Sequence, residues 1–265
     1  MEGRQAARYI TGVIFIHGWS VPSPIYKDIV DILALEGFRV LVFDLYGRGY
    51  SDSPDVPESP LLYVTQVALL MQYLGWTRAR VVGVSMGAGI SATLAARLPH
   101  LIDNDIVFIC AAGNLPANYH GRIRALLTTP PFVWLSSTKL IRTWKQLPDP
   151  PLTPDDKMKQ LLLLQARTLP HYGRVLASSL RRGPVKGITE AYRTVGKSTN
   201  RALIIHGTED TTTPYHPFAD PILRNLLPKA KLVAIENVGH DLTVTRPKEV
   251  AEAILAFFNA EPEDS

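Results

Sequence analysis

Six short apolar runs punctuate the chain, at 13–16, 39–43, 80–84, 106–111, 201–206 and 231–235. Each is dominated by Val, Ile, Leu and Phe and is too short for a helix, so each predicts a strand. Between them, apolar residues recur at helical spacing. Ile25, Ile29, Ile32 and Leu33 share one face of 25–35, which Gly37 closes. Residues 61–74 repeat the pattern before Gly75, 86–97 form a helix of small residues, and 249–258 form a closing helix. Strands that are apolar throughout must be buried on both faces, and helices between them imply parallel crossovers. The pattern therefore predicts an α/β chain with a doubly wound, mostly parallel sheet. In such a sheet the residues just beyond the carboxyl ends of the strands form the ligand site.

The stretch 114–200 breaks this rhythm. It carries Pro116, Pro130, Pro131, Pro148, Pro150, Pro151 and Pro154 and contains no clear strand. Helical patterns fall near 155–168, 172–182 and 187–196. The expected organisation is a core made of 1–113 and 201–265, with a helical cap inserted at 114–200. The apolar cap residues Leu126, Leu127, Phe132, Trp134, Leu135 and Leu140 read equally as the lining of an apolar pocket and as packing of the cap onto the core.

Composition narrows the setting. At 265 residues, with 46% hydrophobic and 20% charged residues, the chain suits one large soluble domain carrying an insertion. No apolar run approaches the ~20 residues that cross a bilayer, and no stretch reads as a secretion signal, so the expected location is cytoplasmic. Cys110, the single cysteine, excludes an internal disulfide and a thiolate metal cluster. It lies inside the apolar run 106–111 and reads as a core residue. The net charge is +4, yet 114–200 holds fourteen Lys or Arg against four Asp or Glu. That excess reads as a solvated face, with an anionic substrate or membrane surface as the alternative. No nucleic-acid partner is expected.

The chemistry concentrates at strand ends. Gly83-Val84-Ser85-Met86-Gly87 places a serine on a sharp turn from strand to helix, where small neighbours relieve backbone crowding. The helix that starts at Met86 aims its first N–H groups at the same spot, where an oxyanion would form. A serine needs a base. His240 follows the last strand and precedes the closing helix, and it is preferred to His216, which follows Pro214. The base needs an orienting carboxylate. Asp210 follows the strand at 201–206, with Glu209 as the nearest rival. Asp241 adjoins His240 and points elsewhere, while Asp103 and Asp105 precede their strand at the other end of the sheet.

Serine, acid and histidine thus follow three different strands in that order, and on these residues the chain resembles the α/β-hydrolase family over nearly its whole length. The resemblance implies a Ser85–His240–Asp210 triad. It also implies that His17-Gly18-Trp19 is the oxyanion loop, with the Trp19 and Met86 N–H groups as donors. Asp44-Leu-Tyr-Gly47-Arg-Gly49-Tyr-Ser51 is similar to a structural turn of that family, and the wording of the motifs resembles its fungal members. One departure is that the family usually begins with two further strands, whereas about eleven residues precede the first strand here. The strand at 39–43 would then form an exposed edge, for which a homodimer is one solution. The implied activity is hydrolysis of a small, largely apolar carboxylic ester through an acyl-enzyme, with no metal or organic cofactor. Lactone, thioester and carbon–carbon bond hydrolysis are alternatives on the same triad.

Two readings from other classes compete. Gly87-Ala-Gly89-Ile-Ser-Ala92 matches a dinucleotide fingerprint, but the next strand ends in Cys110-Ala-Ala-Gly113, without the acidic residue that would hold a ribose. A non-catalytic binding protein on the same scaffold would have no need for Ser85, Asp210 and His240 together.

Overall fold

A computed structural model describes residues 12–114, 157–216 and 223–261. Six strands form one sheet: β1 (Gly12–Ile16), β2 (Arg39–Val42), β3 (Ala79–Val84), β4 (Ile102–Ile109), β5 (Arg201–Gly207) and β6 (Lys231–Ile235). Their order is β2-β1-β3-β4-β5-β6, and every pair is parallel. Alternation along the strands feeds two hydrophobic layers. Ile14, Ile16, Val81, Ile106, Phe108 and Ile204 enter one layer. Val13, Phe15, Val82, Val107, Ile109 and Ile205 enter the other.

Helices cover both faces. The first layer is closed by α2 (Pro60–Tyr73) and α3 (Met86–Arg97), and the second by α1 (Lys27–Leu35) and the C-terminal helix Pro247–Asn259. Ser59 caps α2, its hydroxyl accepting from the Leu62 N–H at 3.2 Å, with Pro60 at the first helical position. The two outermost strands, β2 and β6, are only partly buried, as edges are. Among the described residues, no helix is long and apolar enough to cross a membrane.

β4 begins earlier than its apolar run. Asp103 and Asp105, expected ahead of the strand, lie within it, in a stretch where the register to β3 shifts and Asn104 has a φ of 56°. Asp105 is buried because two cations meet it. Arg201 grips it in a fork, Nε at 2.7 Å and Nη2 at 3.0 Å, and Arg80 Nε lies 3.1 Å away. These contacts clamp β3, β4 and β5 at their amino ends, opposite the end where the serine sits.

The chain between β4 and β5 holds three described helices, α4 (Lys157–Thr168), α5 (Tyr172–Arg182) and α6 (Thr189–Lys197). α6 packs beside α3, with the Tyr192 ring 5.3 Å from Phe108. We number the C-terminal helix α7. The apolar residues Leu126, Leu127, Phe132, Trp134, Leu135 and Leu140 lie outside the described residues.

Candidate active site

Strand β3 ends at Val84 and α3 begins at Met86, so Ser85 alone makes the turn, at φ 55° and ψ −117°. A non-glycine residue seldom adopts this backbone, which is held by its surroundings. The Ser85 N–H donates to the Ile109 carbonyl at 2.9 Å, and its carbonyl accepts from the Ala112 N–H at 3.1 Å. The flanking glycines are required by close approach. A β-carbon on Gly87 would run into the Ile16 carbonyl, and one on Gly83 into the Gly87 backbone. The dinucleotide-like segment from Gly87 to Ala92 is the buried interior of α3, not a turn that could cradle a pyrophosphate.

The loop after β1 lies beside this turn. A β-carbon on Gly18 would sit 3.3 Å from Ser85 Cβ. His17 is fully buried and its tautomer is set by two bonds: Nδ1–H donates to the Gly18 carbonyl at 2.9 Å, and Nε2 accepts the Leu45 N–H at 2.8 Å. Burial, aided by the nearby Arg48 charge, holds its pKa at about 4 despite the Gly18 bond. The N–H groups of Trp19 and Met86 have no hydrogen-bond partner among the described residues. Asp44 is structural: its carboxylate accepts from the Ser23 N–H at 2.7 Å and the Tyr50 N–H at 2.9 Å, shaping the 44–51 turn.

The acid and the imidazole meet after β5 and β6. His240 Nδ1 donates to Asp210 Oδ2 at 2.7 Å. The rest of the carboxylate is occupied as well. Oδ1 accepts the Thr212 and Thr213 N–H groups at 2.8 and 2.9 Å, and Oδ2 also accepts the Thr213 hydroxyl at 2.9 Å. Burial raises the Asp210 pKa, but the His240 and Thr213 bonds outweigh it and hold the group at about 2. Asp210 is buried, whereas Glu209 is exposed and His216 lies exposed against Tyr215. The two rivals therefore stand outside this pair.

Three neighbours of this pair are not assigned to the site from the sequence. Thr213 Oγ1 lies 3.1 Å from the Cys110 carbonyl, tying the Asp210 loop to the end of β4 that also holds Ser85. His206 is buried beneath the acid, its Nε2 2.7 Å from the Thr213 carbonyl and 3.4 Å from Asp210 Oδ2. Burial lowers its pKa, keeping the imidazole neutral. Cys110 is buried, as its apolar run implies, yet its sulfur, an Asp210 oxygen and a His240 nitrogen lie within 4.8 Å of one another. Burial and then the Asp210 charge push the thiol pKa up, so it remains protonated. With all its lone pairs facing N–H or O–H donors, Asp210 is built to hold an imidazole.

A family model described as "Alpha/beta hydrolase family" matches residues 13–253. A serine hydrolase-like protein of Dictyostelium discoideum is 36% identical over 98 residues, which cover 36% of this chain and 27% of that protein. The match thus spans about a quarter of that relative's length. A bifunctional esterase/perhydrolase of Acinetobacter calcoaceticus is 25% identical over 268 residues, covering 94% of this chain and 91% of that one. Among solved structures, an alpha/beta hydrolase enzyme from a Medee basin deep-sea metagenome library superposes with a TM-score of 0.74 at 19% identity, covering 100% of this chain and 94% of the other.

Proposed function

The chain belongs to the alpha/beta hydrolase family, and on that premise we propose that it is a serine hydrolase cleaving a small, largely apolar carboxylic ester. The observation that carries this reading is the Asp210–His240 bond of 2.7 Å, joined through Thr213 and the end of β4 to the strained turn that presents Ser85. The esterase named among its relatives supports the same class.

In this mechanism His240 Nε2 takes the Ser85 proton as Oγ attacks the acyl carbonyl. Asp210 keeps the Nδ1–H tautomer and stabilises the imidazolium that forms. The tetrahedral oxyanion is met by the N–H groups of Trp19 and Met86, which have no hydrogen-bond partner among the described residues, a contribution of several kcal/mol in oxyanion holes generally. The imidazolium then protonates the leaving alcohol. Water, deprotonated by His240, releases the acid from the acyl-enzyme and restores Ser85. The inserted helices act as a cap that shapes the acyl or alcohol pocket.

The test pairs the wild-type chain with Ser85→Ala. We expect Ser85-dependent labelling by a fluorophosphonate probe and Ser85-dependent turnover of p-nitrophenyl esters. Turnover that survives the substitution sinks the proposal.

A further inference from the structure

Arg48 is the largest fully buried side chain of the described residues. No carboxylate among those residues lies within 4.0 Å of its guanidinium. A buried cation without a paired anion is costly, so its hydrogen bonds must hold it. Four are present. Nε donates to the Trp19 carbonyl at 3.0 Å and Nη1 to the Tyr46 carbonyl at 2.8 Å. Nη1 also donates to the Tyr63 hydroxyl at 2.6 Å, and Nη2 to Ser179 Oγ at 2.8 Å. One planar fork thus joins the loop after β1, the 44–51 turn, α2 and α5.

The residue most strongly gripped is Trp19. Its carbonyl is held by Arg48, and its indole Nε1 donates to the Leu176 carbonyl at 3.0 Å and to Ser179 Oγ at 3.1 Å. Ser179 is fully buried, and its own proton goes to the Val175 carbonyl at 2.8 Å. The next residue is tied to the inserted helices too: the Ser20 carbonyl accepts from the Tyr172 hydroxyl at 2.6 Å and from Gln165 Nε2 at 3.0 Å. None of these bonds uses the Trp19 N–H: they hold the Trp19 side chain and the two carbonyls that follow it, while the Gly18 carbonyl, which shares a peptide plane with that N–H, accepts from His17 Nδ1 at 2.9 Å.

We infer that Arg48 and Ser179 are positioning residues for the oxyanion donor on Trp19, and that α5 is a fixed wall of the catalytic centre instead of a lid that swings free of it. The inference rests on the serine-hydrolase reading, because it takes the Trp19 N–H as an oxyanion donor. Loosening the Arg48–Ser179 junction lets that donor drift from where charge develops. It therefore weakens the transition state more than the bound ester.

The experiment compares wild type, Ser85→Ala, Ser179→Ala, Ser179→Thr and Arg48→Lys. It uses kcat and KM for p-nitrophenyl butyrate, inhibition by phenylboronic acid as a tetrahedral mimic, the rate of fluorophosphonate labelling, and thermal unfolding. Deleting an oxyanion donor costs roughly 100-fold or more in kcat, so a donor that is loosened but kept should cost less, about tenfold. We expect Ser179→Ala and Arg48→Lys each to lose about tenfold in kcat and in boronate affinity, with KM within about twofold. Ser179→Thr, which keeps the hydroxyl, should return both to within about twofold of wild type. A purely structural role would move the unfolding temperature and leave the boronate affinity alone. If Arg48→Lys does not fold, the Ser179 pair decides; if the ester is not turned over, the labelling rate replaces kcat. Wild-type-like values in Ser179→Ala beside an inactive Ser85→Ala overturn the inference alone. Activity or labelling that survives Ser85→Ala overturns the hydrolase reading.

Discussion

Asp210→Asn isolates the role of the acid without changing its shape. In the wild type Oδ1 receives two backbone N–H groups, from Thr212 and Thr213, and Oδ2 faces His240 Nδ1 at 2.7 Å. The two N–H groups settle the orientation of the new amide: its oxygen must stay at the Oδ1 position and its NH2 must face His240. Turning it round sets NH2 against both N–H groups and leaves the buried one, on Thr213, unpaired, at about 1–3 kcal/mol. Even the lower figure restricts the reversed form to about 16% of molecules. The majority form presents a donor to Nδ1, which moves the imidazole proton to Nε2, where a base must accept. We therefore expect kcat for a p-nitrophenyl ester to fall at least ~6-fold. The limit is the ~10,000-fold known for such a tautomer error in a serine protease, about 5.4 kcal/mol of barrier. Thermal unfolding should show the fold retained, since every backbone bond to the side chain survives. A folded Asp210→Asn with kcat within fivefold of wild type would refute the tautomer argument and the acid's assignment with it.

Further outcomes follow from the same contacts. Asp105→Ala strands the Arg80 and Arg201 cations in a site where the aspartate is 1% exposed, so stability should drop by about 3–5 kcal/mol; a urea-midpoint change worth under ~1 kcal/mol would show that solvent screens them. The His17 pKa, near 4 in the fold, lies below its ordinary 6.5. The unfolded chain then binds more protons across that window, so stability should fall from about pH 6.5 to about pH 4, by roughly 3 kcal/mol at most. The lowered His206 pKa acts in the same direction, and a urea midpoint that is flat over the window would contradict both. Asp210 adds its own loss only below that range, as pH falls from its ordinary 3.8 towards 2. Strand β2 leaves Val42 38% exposed at the sheet edge, and we expect a homodimer through that edge; a monomer by light scattering at high concentration rejects it.

Much of this architecture is written in local pattern. The runs at 13–16 and 80–84 match β1 and β3 to within a residue because a fully buried parallel strand leaves an uninterrupted apolar run, and 231–235 and 86–97 match β6 and α3. The start of β4 escaped the pattern because Asp103, Asn104 and Asp105 are polar, and a buried Asp105 makes sense only beside Arg201, 96 residues away. The site divides in the same way. Ser85, Asp210 and His240 stand immediately beyond strands and carry recognisable chemistry. Thr213 is one of three consecutive threonines, and nothing in the string marks the third as the one that faces Asp210. Arg48 sits inside a glycine turn and Ser179 beside Ser178 in α5. Their junction depends on how an inserted helix lands on a distant loop, which no local periodicity encodes.

The parallel register of β4 with β5 has a consequence for synthesis. The turn that carries Ser85 can close once Ile109 has emerged, because its N–H needs only the Ile109 carbonyl. The second partner of β4, β5, does not begin until Arg201, and His240 comes later still. At ribosomal speeds of roughly 5–20 residues per second, about 7–26 seconds separate Ile109 from His240. On the proposed reading, a Ser85 turn that closes during that interval has no base and takes up no acyl group. The nascent chain also carries an open apolar edge on β4, and a chaperone that shields this edge would raise the yield of folded protein without touching the finished molecule.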